Sequence, residues 1–280
     1  MNLRVLCYIK EVKSLFISSK DNPKIKRLIK LLGSKKERRE QRLFVAEGMR
    51  SCVDAVHEYL AGRLEIEALF YVKEAAESYA GKLDVAAFSS LDEKRVIEIP
   101  MDLAQKVSDE GSSQGAFVVA RFVDKPLPDV LVGSKYLILE HLQDPGNLGT
   151  VLRTADAVGV DGVVLTGNCT ELYNPKVVRS TMGSLSRVTI YNENDLDRVV
   201  SVLKASGHTV IASVVRDGVL LSGYSFPSRC AVIIGNEGNG LSDNAIISSD
   251  ERVTIDMHGF AESLNASVAA AVFLWEMTKE

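Results

Sequence analysis

Three segments of the 280-residue sequence gather the side chains best suited to bind a ligand and act on it. The first runs from Glu140 to Gly149. Asp144-Pro145-Gly146 is strong turn chemistry, and Asn147 can then start a helix whose apolar face is Leu148, Val151, Leu152 and Ala155. Arg153 falls on the polar side of the second turn, where it can meet an anion or simply pair with Asp156 three residues on. The second segment, residues 235–242, holds Gly235, Gly238 and Gly240 around Glu237. Glycines permit positive φ and let a ligand approach the backbone, although a plain turn would use them too. The third, residues 255–265, leads into an apolar helix over 266–275. Ser263 is placed to cap that helix, and Asn265 in its first turn is less readily explained by propensity.

Elements that could position these loops are legible as alternating apolar runs and helical stretches. In the second half of the chain, strands are expected at 136–140, 162–166, 188–190, 209–213, 231–235 and 252–255. Several are almost wholly apolar, as in a parallel sheet covered on both faces. Ligands bind outside the carboxyl ends of such strands, and all three loops sit at those ends. The glycine segment lacks the Lys and Ser/Thr that end a P-loop and does not match G-x-G-x-x-G, which argues against a nucleotide- or NAD-dependent enzyme.

The first half reads as a small α/β domain. A helix is expected over 23–32, with Ile25, Leu28, Ile29 and Leu32 at helical spacing. Strand 42–46 and helix 47–60 follow, then strands at 66–72, 85–88, 96–99 and 116–122. Two prolines at 126 and 128 favour extended chain. They divide the sequence into a domain over 1–125, a linker over 126–134 and a second domain over 135–280.

Charge is unevenly spread. Residues 1–50 carry 14 Lys and Arg against 5 Asp and Glu, a net +9, so the rest of a chain of net charge −4 carries −13. A basic arm on an acidic body suits a polyanionic partner. Lys24, Lys26, Arg27, Lys35, Lys36, Arg38 and Arg39 are the candidate phosphate contacts; a solvated charged surface would look the same. Cys7, Cys52, Cys169 and Cys230 form no C-x-x-C pair, and His57, His141, His208 and His258 show no metal-binding spacing, so no metal is expected. Scattered thiols fit a reducing cytoplasm. No apolar run approaches the ~20 residues that span a bilayer, and the N-terminus lacks the uncharged core of a secretory signal.

Together the loops are more specific than any one alone. Residues 144–159 (Asp144-Pro145-Gly146-Asn147-Leu148-Gly149 through Arg153 to Gly159), 234–242 and 263–271 (Ser263-Leu264-Asn265-Ala266-Ser267) resemble the three motifs of the SpoU, or TrmH-like, branch of the SPOUT methyltransferases. Tyr173-Asn174-Pro175-Lys176, with Met182-Gly183, is similar to the same family. Asn22-Pro23-Lys24, Phe44-Val45-Ala46-Glu47-Gly48 and Gln114-Gly115 resemble the substrate-binding domain often placed before the catalytic one.

The resemblance implies an α/β catalytic domain with a parallel sheet and a deep trefoil knot, preceded by a small α/β domain folded like a small ribosomal protein that grips RNA. It implies a homodimer that transfers a methyl group from S-adenosylmethionine to a ribose 2′-hydroxyl of RNA. Gly235, Ile255 and Leu264 would offer backbone contacts to the cofactor, with Thr166 and Gly167 flanking it. Arg153 would be the central catalytic residue, with Asn147, Glu237, Ser263 and Asn265 fixing the pocket and Glu237 orienting either Arg153 or the loop. A free guanidinium keeps its proton far above neutral pH, which favours alkoxide stabilisation over a role as base. The two-domain layout points to large-subunit ribosomal RNA first and transfer RNA second. A non-catalytic RNA-binding assembly factor is the rival from another class, opposed by the intact set of Asn147, Arg153, Glu237, Ser263 and Asn265.

Overall fold

The computed structural model describes residues 14–108 and 112–279. The N-terminal extension 1–12, for which the resemblance offers no counterpart, lies outside them. The chain forms two compact units, one of residues up to Val123 together with Tyr173–Arg187, the other of Asp124–Leu172 and Val188–Glu280.

The first unit holds strand β1 (Leu15–Phe16), helices α1 (Pro23–Gly33) and α2 (Lys35–Gln41), β2 (Leu43–Glu47), α3 (Met49–Leu60), β3 (Ile66–Tyr71), α4 (Lys73–Tyr79), β4 (Val96–Glu98), α5 (Met101–Val107) and β5 (Ala116–Arg121). Its sheet has the order β1-β4-β3-β5-β2, with β5 antiparallel to both neighbours. Helix α1 starts where the sequence suggests: Asn22 Oδ1 accepts from Lys24 N at 2.9 Å, and Pro23 occupies the first turn. Helix α3 has Gly48 at its N-cap, with no side chain to offer, and Gln114 supplies the missing acceptor to Met49 N at 3.0 Å. Two of the sequence matches in this domain thus serve one helix terminus.

Residues 85–88, expected as a strand, belong instead to a 3-10 helix, Val85–Ser90, packed against α3 and α4. An apolar run of four does not distinguish the two conformations; burial of Val85, Ala87 and Phe88 against helices decides it.

The second unit comprises β6 (Lys125–Pro126), β7 (Lys135–Glu140), α6 (Pro145–Val158), β8 (Gly162–Thr166), β9 (Ile190–Asn192), α8 (Leu196–Ala205), β10 (Thr209–Ser213), β11 (Val219–Leu220), β12 (Cys230–Ile234), α9 (Asp243–Ser248), β13 (Glu251–Thr254) and α10 (Ala266–Thr278). Helix α7 (Pro175–Ser180) interrupts it in sequence but packs on β2 of the first unit. There the Tyr173 ring stacks on Phe122 at 3.6 Å, and its hydroxyl accepts from Val123 N at 2.7 Å.

All eight strands of the second unit run parallel in the order β11-β13-β10-β12-β7-β8-β9-β6. β8 and β12 are buried along their whole length. The core beside them gathers Ile138, Val164, Val199, Leu203, Val210 and Ile233. Leu127 and Leu131 join that core at 3% and 2% exposure. The stretch 126–134 is therefore packed chain rather than a free linker, because two apolar side chains outweigh the local extended propensity. The strand expected at 188–190 is displaced to Ile190–Asn192.

Helix boundaries near the loops also differ from the sequence reading. Helix α6 starts at Pro145, two residues before Asn147, because Asp144 Oδ1 accepts from Asn147 N at 2.8 Å. It ends at Gly159, whose φ of 73° is the left-handed cap. Helix α10 is capped by Asn265, which accepts from Ser267 N at 2.9 Å and Val268 N at 3.4 Å. Ser263, expected as the cap, lies two residues upstream and is exposed.

Candidate active site

The carboxyl ends of β7, β12 and β13 release the three loops, and one polar chain joins them. Glu237 Oε1 accepts from Asp144 N at 2.9 Å and Asn147 Nδ2 at 3.0 Å. Its Oε2 accepts from Gln143 N at 3.1 Å and Asn236 Nδ2 at 3.4 Å. Because Asn147 gives its amide nitrogen to Glu237, its Oδ1 faces Asn265, whose Nδ2 donates to it at 3.1 Å. Asn265 must then turn its own oxygen to the start of α10, where it also accepts from Ser267 Oγ at 2.7 Å. The carboxylate thus sets the orientation of two amides in succession. Burial pushes the Glu237 carboxyl up, but the Asn147 amide and the backbone N–H groups of Asp144 and Gln143 outweigh it and hold the carboxyl below its usual range. Glu237 therefore fastens the 143–147 turn rather than Arg153.

A second carboxylate anchors the far end of the glycine loop. Glu140, buried at the end of β7, accepts from Ser242 N at 2.9 Å and Ser242 Oγ at 2.6 Å. Between these anchors the loop closes on itself, with Asn236 and Gly240 exchanging two backbone hydrogen bonds of 2.9 Å. A Cβ on Gly235 would lie 2.3 Å from the Gly240 carbonyl carbon. Glycine is required there by the loop's own closure.

This loop forms one wall of a cavity of about 260 Å³. Gly235, Ile255 and Leu264, the residues expected to contact the cofactor, line it, and so do Glu237 and Ser263. Thr166 and Gly167 do not: the Thr166 hydroxyl is buried and donates to Asn194 O at 3.3 Å, and Gly167 abuts the His141 ring. The wall opposite is Ser213, Val214 and Val215, at the end of β10. Sequence reasoning did not single these out, since only the pairing of β10 with β12 and β13 brings them to the cavity.

The donor set fits S-adenosylmethionine. Val214, Ile234, Ile255, Met257, Leu264 and Phe273 offer apolar surface for an adenine ring and thioether arms. Thr254, also in the lining, has a buried hydroxyl with no hydrogen-bond partner among the described residues, a polar atom that a bound ligand can satisfy. Glu262 adds a carboxylate suited to the ligand's positive charge. When bound, the group supplies an electrophilic methyl on a sulfonium.

Arg153 is exposed on the second turn of α6, the helix against which α10 packs. Asn147 and Asn265, which tie those helices together, lie outside the cavity lining and act on its shape. Among the described residues no group of three or more His, Cys, Asp or Glu is placed to hold a metal ion, and no helix is long and apolar enough to cross a membrane.

Of the basic residues near the N-terminus, Lys24, Lys26, Arg27, Lys35, Lys36 and Arg39 are exposed. Lys26 pairs with Asp21 at 2.9 Å and Arg27 with Glu67 at 3.0 Å. Arg38 is not a surface contact. It is 4% exposed, and its Nη1 donates to Leu31 O at 2.6 Å and Leu32 O at 2.9 Å, capping the end of α1. Arg38→Ala is expected to cost the protein ~2–4 kcal/mol, because two buried carbonyls lose a charged donor. Arg39→Ala should stay within ~0.5 kcal/mol. Urea unfolding of both variants checks the difference.

Residues 134–275 match the SpoU rRNA methylase family and residues 22–118 the MRM3-like substrate binding domain. The 23S rRNA (guanosine(2553)-2′-O)-methyltransferase RlmP of Bacillus subtilis (strain 168) is 31% identical over 271 residues, 93% of this chain and 98% of that protein. The AdoMet-bound rRNA methyltransferase from Sinorhizobium meliloti superposes with a TM-score of 0.80 at 28% identity, covering 95% of this chain and 97% of that one. The SpoU methyltransferase AviRb from Streptomyces viridochromogenes, in complex with AdoMet, gives 0.76 at 26% identity over 92% and 97%. Fold and site together define an RNA methyltransferase that draws on S-adenosylmethionine. The chain belongs to the SpoU rRNA methylase family, and its reaction is methyl transfer to a ribose 2′-hydroxyl of RNA.

Proposed function

We propose that the RNA is 23S-type large-subunit ribosomal RNA. The observation that carries this is the extent of the likeness to RlmP, named as a 23S rRNA enzyme, which takes in the substrate-binding domain as well as the catalytic one. Exposed Lys24, Lys35, Lys36 and Arg39 supply positive charge on the first unit, suited to phosphate contacts whose strength falls with salt. Transfer RNA is the second reading, favoured by the basic surface alone, which does not discriminate between the two.

Arg153 stabilises the alkoxide that forms as the 2′-hydroxyl loses its proton, and orients the nucleotide through its planar fork. Asn147, Glu237 and Asn265 hold the three loops in register, and exposed Ser263 hydrogen-bonds at the pocket rim. Gly235, Ile255 and Leu264 offer backbone groups to the cofactor. Aligning oxygen, methyl carbon and sulfur is the chief demand of the reaction.

The catalytic unit is knotted and works as a homodimer in the cytoplasm, and the first unit folds like a small ribosomal protein. Support for the knot comes from the 255–265 segment, which returns past the glycine loop to bring Asn265 against Asn147. For the dimer it comes from Val268 and Trp275, exposed on α10 at 47% and 62%. Free Cys52, Cys169 and Cys230 suit a reducing compartment.

The test is incubation with tritiated S-adenosylmethionine and separate pools of unmodified ribosomal and transfer RNA. Label in an alkali-resistant dinucleotide from the ribosomal pool supports the proposal; label confined to transfer RNA overturns the substrate. Tight S-adenosylhomocysteine binding with no label in either pool would point to an assembly intermediate as substrate.

A further inference from the structure

A second cavity, of about 390 Å³, adjoins the same glycine loop and shares Asn236, Asn239 and Gly240 with the first. Its remaining lining is His141, Gln143, Asn168, Leu241 and Ser242, so it is lined mainly by polar side chains and lacks the apolar wall of Val214, Ile234, Ile255, Met257, Leu264 and Phe273. None of its residues beyond the three shared ones takes part in the cofactor cavity.

His141 is held there unusually firmly. Its backbone has a φ of 55°, in the left-handed region that non-glycine residues seldom enter. Its N–H donates to Thr166 O at 3.2 Å, and its carbonyl accepts from Asn236 Nδ2 at 2.9 Å. The ring packs on Gly167, where a Cβ would lie 2.5 Å from its Cε1. Nδ1 accepts the Asn168 backbone N–H at 3.0 Å. A neutral imidazole that accepts at Nδ1 carries its proton on Nε2, so the ring offers one oriented N–H donor. The side-chain amides of Asn168 and Asn239 are engaged by no hydrogen bond among the described residues, and each offers a donor and an acceptor. Gln143 spends its Nε2 on His141 O and Asn168 O, and its side-chain oxygen accepts no hydrogen bond among the described residues. Leu241 adds an apolar surface.

We propose that this cavity receives the unpaired base of the nucleotide being methylated, with His141 Nε2–H donating to an acceptor on its edge and Asn168 reading the adjoining atoms. RNA is read in sequence mainly through splayed-out bases hydrogen-bonded on their edges. The base is joined to the ribose whose 2′-hydroxyl must reach the methyl group, and the two cavities adjoin, sharing Asn236, Asn239 and Gly240 of one loop. The inference rests on the 2′-O-methyl transfer reading but not on which RNA is the substrate.

The test pairs protein and RNA changes, using a transcript of whichever RNA the wild-type protein methylates and the same transcript abasic at the target. His141→Asn keeps a residue that tolerates positive φ and removes the ring donor; Asn168→Ala removes an amide with no structural bond. Either variant should lower kcat/KM about tenfold or more on the intact RNA, the scale of one lost oriented hydrogen bond. Both should bind S-adenosylhomocysteine as the wild type does, since neither lines the cofactor cavity. On the abasic RNA the wild type should fall by a similar factor and the variants should fall no further. Losses that multiply, or variants that match the wild type on intact RNA, would overturn the proposal. Weakened cofactor binding in both variants would overturn it too, by showing that they act on the loop. A wild type with no methyl transfer to any RNA would instead sink the activity on which the inference rests.

Discussion

Arg153→Ala is expected to remove methyl transfer almost entirely while leaving S-adenosylhomocysteine affinity unchanged. Arg153 is exposed, outside the cavity lining and outside the Glu237–Asn147–Asn265 chain, so its loss disturbs neither cofactor wall nor loop register. On the proposed role of Arg153, what is lost is a positive charge that stabilises the developing alkoxide. Removing one such stabilising donor costs on the order of 10²–10³ in turnover, and loss of nucleotide orientation adds to it. Arg153→Lys keeps the charge but not the planar fork and should recover only a small part. Single-turnover transfer from tritiated S-adenosylmethionine, with calorimetry for S-adenosylhomocysteine, measures both quantities. Near-normal turnover by the lysine variant would leave charge alone sufficient and remove the case for the fork.

Asn147→Asp should be nearly as damaging by a different route. The substitution changes shape very little, yet it replaces the amide that donates to Glu237 at 3.0 Å with a second acceptor. Two carboxylates at that separation repel by about 1 kcal/mol in fully aqueous surroundings and about 5 at an effective dielectric of 20; partial exposure of Glu237 places the cost between them. Asn147 itself is buried, so the new charge has little water to compensate it.

The pH dependence should then invert. In the wild type the Glu237 carboxyl is held down, so its contribution is present above the ordinary carboxylate pKa and lost as pH falls through the lower folded value. In the variant the pair retains a proton more readily than in the unfolded chain, so order should be gained on acidification and lost as pH rises. Affinity for S-adenosylhomocysteine across mildly acidic to neutral pH follows both. A variant that binds as tightly as the wild type near pH 7 would show that the three-loop chain does not shape the cavity.

Much of this site was legible because its chemistry is local. Asp144-Pro145-Gly146 carries its turn in three consecutive residues, although the helix the sequence starts at Asn147 begins at Pro145 with Asp144 as its cap. Asn22 and Pro23 mark the start of α1. The apolar strands β7, β8 and β12 announce a sheet covered on both faces, since continuous burial leaves no polar alternation. Where two residues two positions apart could serve, sequence alone misassigned the role. Ser263 and Asn265 are both competent caps, and only the Asn147 oxygen, 118 residues away in sequence, turns Asn265 towards α10.

By itself, then, the sequence determined the α/β character, the positions of the three loops and the residue types that make methyl transfer possible. The first two follow from periodicity and turn chemistry within a few residues; the third is what the resemblance of 144–159, 234–242 and 263–271 to the SpoU motifs implies. Tertiary structure alone decided that Arg38 caps a helix instead of facing phosphate, that Leu127 and Leu131 enter a core, and that Ser213–Val215 wall the cavity in place of Thr166 and Gly167. Those outcomes depend on strand order and burial. Strand order is set by contacts between residues far apart in the chain, and burial is a property of neighbours that no local pattern records.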